Sequence, residues 1–181
     1  MNRIFSGSKR ATRVCAALLI GGAFLGQGAL AQTNSGTGVI TMQAGQVNTV
    51  REVSLAAAQR LVANGLDHAA GNEMRLAISV VDRAGNLLAF ARMDGASIVT
   101  VEVAIGKART AAFLQGPSKR FEDMINSGSP SMATVPGLLP LQGGVPIVHE
   151  GEVIGAVGVS GSTGDNDQAA ATLIADSFTQ L

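Results

Sequence analysis

The sequence predicts an α+β domain in which helices flank an antiparallel sheet, and two observations carry that prediction. Segments of helical and extended periodicity come in the order helix, hairpin, helices, hairpin, helix. Hairpins pair strands antiparallel, whereas a doubly wound parallel sheet needs strands and helices in strict alternation. Neither a linker nor a repeat of solenoid length interrupts the order, so one domain is expected.

Ser54 is placed to cap the first helix, where Leu55, Ala58, Leu61, Val62, Leu66 and Ala69 recur at helical spacing. Gly65 weakens that helix and Gly71-Asn72 ends it. Leu76–Val81 and Leu87–Arg92 are short extended runs joined by the turn residues Asp82 to Asn86. Val101, Ala104, Ile105, Ala108, Ala111 and Ala112 mark a second helix, stopped by Gly116-Pro117. A short third helix is expected over 118–126. The stretch 127–140, with its prolines and glycines, is expected to be irregular. Val145–Val148 and Glu152–Val159 form a second hairpin around His149-Glu150-Gly151. Asp165 is expected to cap a last helix with Gln168 as capping-box partner, its apolar face formed by Ala169, Leu173, Ile174 and Phe178.

The N-terminus reads as export machinery. Arg3, Lys9, Arg10 and Arg13 precede an apolar run from Val14 to Leu25, and Ala29-Leu30-Ala31 matches a signal-peptidase site. The run is shorter than the ~20 residues a membrane span requires. The expected organisation is a signal peptide over 1–31, a Thr/Gly/Asn-rich flexible segment over 32–50, and the domain over 51–181. The product is expected in the periplasm or outside the cell, with no membrane span. Removing residues 1–31 leaves nine basic against thirteen acidic side chains, a net charge of −4. That balance argues against nucleic acid as a partner. The single cysteine, Cys15, leaves with the signal peptide, so disulfides, Cys-ligated metals and a cysteine nucleophile are excluded from the domain.

Several residues stand out as candidates for chemistry. Gly155, Gly158, Gly161 and Gly164 recur every third residue, which suits either close packing of a strand or a backbone anion site. Ser160 misses the serine-hydrolase elbow by one position. Arg92 and Asp94 end the second strand, where they either border a pocket or pair with each other. Lys107 and Arg109 follow on the second helix, with a solvated face as the default. His68 and His149 are the two histidines, each open to a bland reading (helix end, exposed turn) or to one as a haem axial ligand. No metal-binding spacing joins them, so no metal site is expected.

Taken together, Ser79-Val80-Val81-Asp82, Gly85-Asn86 and Arg92-Met93-Asp94-Gly95-Ala96 resemble the first signature of the GlcG/HbpS family. Lys107 to Ala111 resembles its next block, and Gly143 to Ile147 with Gly151 to Gly161 its last. The likeness runs from about Val53 to Phe178. The family includes the C-terminal domain of PduO-type proteins and is often labelled haem-degrading or haem-binding. The resemblance implies a profilin-like or PAS-like α+β domain, homo-oligomers (octamers among exported members), and haem as the possible cofactor.

A haem site needs an apolar slot, an axial donor and cations for the propionates. The leading expectation is therefore an exported haem-binding protein, with a ligand site drawn from Arg92, Asp94, Lys107, Arg109, Gly143, Gly144, Ser160 and Gly161. A binding protein is favoured over an enzyme. One alternative is an enzyme acting on a small organic acid or aldehyde, with Asp94 as acid or base. Another is a non-catalytic oligomeric partner protein.

Overall fold

The computed structural model describes residue 45 and residues 47–181. The expected signal peptide and residues 32–44 and 46 of the 32–50 segment lie outside the described residues. Helix α1 (Leu55–Gly71) starts where Ser54 turns extended and its side chain accepts the Ala57 N–H at 3.2 Å. Strands β1 (Ala77–Asp82) and β2 (Leu87–Arg92) form the first hairpin. Helices α2 (Thr100–Leu114) and α3 (Lys119–Asn126) follow, then a single 3-10 turn over Pro130–Thr134 within the expected irregular stretch. Strands β3 (Gly144–His149) and β4 (Glu152–Ser160) make the second hairpin. Its two-residue turn, Glu150-Gly151, has positive φ at both positions, as a tight hairpin with strand-matched twist demands. Helix α4 (Gly164–Asp176) and a 3-10 turn over Ser177–Gln180 close the chain.

All strand pairs are antiparallel, in the order β2-β1-β4-β3. This is the expected single-domain α+β class. Each strand's alternation gives the sheet two faces. Ile78, Val80, Ile147, Val157 and Val159 share one face with Leu61, Val62, Ala170 and Ile174 from α1 and α4, forming the main core. Val81 and Ala156 face the other way, against Ala108, Ala111 and Ala112 of α2.

Of the glycines spaced by three, Gly158 finds its physical reason on this second face, as does Gly144 beside it on β3. A Cβ at Gly158 would lie 2.1 Å from the Ala104 carbonyl oxygen, and one at Gly144 would lie 2.1 Å from that of Lys107. The α2 backbone therefore rests on bare strand, and alanines supply the remaining contact. Ser79, fully buried beside Gly158 on β1, donates to the Ala104 carbonyl at 2.9 Å. Gly65 has a similar purpose on the first face: a Cβ there would come within 2.7 Å of Ile174 and Ile78. Its helix-propensity cost, about 1 kcal/mol, goes with a close crossing of α1 over α4 and β1.

Two expectations about α4 are corrected. The N-cap is Thr163, whose side chain accepts from the Asn166 N–H at 3.3 Å. Asp165 instead accepts from Gln142, and Gln168 accepts from the Gly143 N–H at 2.9 Å, so no capping box forms. The buried stripe is Asp167, Ala170, Ala171, Ile174 and Ala175, while Leu173 is exposed. The face is turned by one residue because Asp167 is anchored inward.

Candidate functional site

The sequence-derived candidates fall at opposite ends of the sheet. Arg92 and Ser160 both pair with Ala77, one from each side, which places them in one row across β1. Gly143, Gly144 and Lys107 lie at this same end. His149 ends β3 at the other, opposite Glu152. Eight residues of β4 separate Glu152 from Ser160, about 27 Å at strand rise.

The first end is packed shut around Lys107. The expected solvated face for this lysine is not what the helix presents. Lys107 is 3% exposed, its Nζ donating to Asp167 Oδ2 at 2.7 Å and to the Val159 carbonyl at 3.0 Å. The other carboxylate oxygen of Asp167 accepts the Ser162 N–H at 2.9 Å. A Cβ on Gly143 would meet Lys107 Nζ at 2.9 Å, and the Gly144 N–H is satisfied by Ser118 Oγ at 2.8 Å. Gly161 packs on the Arg75 backbone. Thus Lys107, Gly143 and Gly144 do converge, but on one another, with the amine's hydrogen bonds taken by the protein itself.

The remaining candidates at this end are dispersed. Arg92 and Asp94 are both exposed, and no ion pair joins them among the described residues. Arg109 reaches toward the other end instead: it is exposed and donates from Nε to the Gly85 carbonyl at 3.0 Å, tying α2 to the β1–β2 turn.

An open groove of about 830 Å³ lies at the His149 end. That volume falls within the ~300–1,000 Å³ range of small-molecule sites. Val53, Ala57, Ile154 and Phe178 give it apolar walls, His149 lines it, and Arg51 and Arg60 bring two guanidinium groups. The segment before α1 is held in place by the Val53 N–H, which donates to the Ile154 carbonyl at 3.0 Å. His149 meets Phe178 edge to face, with ring centroids 5.9 Å apart. Arg51 donates to Glu150, and this hydrogen bond, with the attraction of the guanidinium charge, holds the Glu150 carboxyl below the usual carboxylate range. Arg60 donates to the Leu181 carbonyl at 3.4 Å. His68 is not on this wall. It lies in the last turn of α1, about 12 Å along the helix from Arg60, where Asn72 donates to its backbone carbonyl.

Sequence reasoning singled out His149 but missed Arg51, Arg60 and Phe178 as its companions. They come from three separate stretches of chain, brought together only by how α1 and the C-terminal turn lie against the second hairpin. No spacing rule joins them.

An antiparallel four-stranded sheet with helices on both faces, backbone-tight against one helix and grooved at its far corner, defines an α+β domain of a recognised type. The family model for "Haem degrading protein HbpS-like" matches residues 53–175, and the chain belongs to that family. It is 42% identical to Protein GlcG of Escherichia coli K12 over 103 residues, 57% of this chain and 77% of that one. Among solved structures it is similar to Klebsiella pneumoniae ORFY (TM-score 0.72, 31% identity, 77% of this chain and 99% of that one). It is also similar to a double mutant of Streptomyces reticuli HbpS (TM-score 0.72, 27% identity, 78% and 97%). The C-terminal domain of PduO, solved as a haem complex, shares the fold at TM-score 0.63 and 22% identity, over 69% of this chain and 94% of that one.

Proposed function

We propose that this chain is an exported haem-binding protein whose site is the groove at the β3–β4 hairpin. One observation carries the reading: the groove joins an imidazole to apolar walls and two guanidinium groups, the three elements an amphipathic iron porphyrin requires. The donor set fits. The sequence contains no tyrosine, and its single cysteine is Cys15, so His149 is the groove residue that would hold the iron. The family description and the haem complex of a same-fold protein support the ligand class. When bound, the iron would supply ligand exchange and redox chemistry.

The chain's own residues have distinct tasks. Phe178 supports the His149 ring from the side and restricts its orientation. Val53, Ala57 and Ile154 would pack against the macrocycle, and Arg60 would offer charge-assisted bonds to a propionate. The rival assignment of Lys107 as a carboxylate anchor would require its amine to leave Asp167. Titration of the purified protein with haem, followed by the Soret band, tests the proposal. Saturable binding is expected, weakened at least about tenfold, or ~1.4 kcal/mol, by His149→Ala and unaffected by Arg92→Lys at the opposite end. Unsaturable binding, or wild-type affinity and spectrum in His149→Ala, overturns it.

A further inference from the structure

We infer that Glu150 sets the charge selectivity of the groove by occupying Arg51, so that a ligand bearing two carboxylates must displace it while a ligand bearing one need not. The inference rests on the haem reading of the groove and concerns which porphyrins the groove prefers. Arg51 lines the groove two residues before Val53, whose backbone bond to Ile154 fixes the segment. Its guanidinium is spent on Glu150, a hairpin-turn residue directly following His149. One hairpin thus presents both the iron donor and the carboxylate that masks the nearer cation. Arg60 pairs with no Asp or Glu side chain among the described residues, its partner being the main-chain oxygen of Leu181 at 3.4 Å, a long contact that a ligand carboxylate can replace.

Geometry allows the exchange. Arg51 and Glu150 keep about half or more of their side chains in solvent (52% and 61%). The guanidinium can swing into the groove without moving the backbone anchored at Val53. A ligand carboxylate and the Glu150 carboxylate then compete for the same planar fork, which accepts one bidentate partner well. Glu152, near enough to add to the field at Arg51, strengthens the local negative charge that a dianionic ligand must meet.

The test compares iron protoporphyrin IX, with two free propionates, against its monomethyl ester, which has the same macrocycle and one. Glu150→Gln should tighten binding of the free acid about two- to fivefold, the scale of one exposed ion pair. The ester's affinity should stay as in the wild type. In an Arg51→Gln background the gain from Glu150→Gln should vanish. Circular dichroism melting of each variant confirms that folding is intact. Equal effects on acid and ester, or a gain that persists without Arg51, overturn the inference while leaving the haem reading standing. Failure of both porphyrins to bind saturably overturns the haem reading, and the inference with it.

Discussion

Lys107→Met is the sharpest test of how this fold is held together. The substitution keeps most of the length of the unbranched side chain and removes its charge. It leaves Asp167, whose side chain is 3% exposed, with one hydrogen bond from the Ser162 N–H and no counter-charge. It also leaves the Val159 carbonyl without the amine it accepts from. Breaking a buried pair by removing one partner costs about 3–5 kcal/mol, because an uncompensated charge stays in a poorly solvated site. For a domain of this size that is about 10–20 °C in Tm. Urea denaturation gives the free energy directly, and calorimetry checks the midpoint. Asp167→Leu alone should cost a similar amount. The Lys107→Met/Asp167→Leu double variant should cost less than the two singles summed, by about 0.5–3 kcal/mol of coupling. Full recovery is not expected, since Leu cannot accept the Ser162 N–H. A loss below about 1 kcal/mol for Lys107→Met, within the range of surface pairs, would refute the buried-pair account. So would strictly additive singles.

Two further predictions follow from local geometry. Gly158→Ala should destabilise by at least about 1–3 kcal/mol, the range for overpacking, because its Cβ would meet backbone atoms of α2 at 2.1 and 2.6 Å; a neutral denaturation midpoint would show that α2 shifts freely. NMR titration of the Glu150 carboxyl should give a midpoint below that of an ordinary glutamate and return it to the usual range in Arg51→Gln. Since the folded-state value is the depressed one, the pair's contribution is complete above the unfolded-state value and is lost as pH falls through the folded one. With both groups exposed, only a minor change in stability should accompany it.

The order of elements was legible in the sequence because each turn announces itself. Asp82 to Asn86, Gly116-Pro117 and Glu150-Gly151 are local chemistry, and they delimit strands and helices with no help from tertiary contacts. Ser54 could be identified as a cap for the same reason. Asp165 could not, because Thr163 and Asp165 are both acceptable caps in isolation. The choice between them is made by Asp167 turning inward to a lysine 60 residues earlier in the chain. Lys107 was illegible for a related reason: a lysine amid alanines on a helix reads as solvated until its partner is known. The glycines of β4 were visible as an anomaly, and one of their two readings, close packing of strand on helix, is what Gly158 shows.

The two ends of the sheet therefore divide the work, and α4 connects them. At one end, bare glycines and a buried ion pair bring α2, β3, β4 and the start of α4 to backbone contact. Such contact leaves no space for a side chain at Gly144 or Gly158. From Asp167, α4 and its final 3-10 turn run 11 residues to Phe178, about 16 Å at helical rise. Phe178 then meets the His149 ring and forms a wall of the groove. A rigid helix pinned by Asp167 at its first turn delivers the aromatic that positions the proposed donor. The densest motifs in the sequence, Gly143-Gly144, Lys107 and Gly155 to Gly161, thus report the constraint that shapes the domain. The chemistry proposed for the groove rests on scattered side chains, Arg51, Arg60, His149 and Phe178, the last of them delivered by α4.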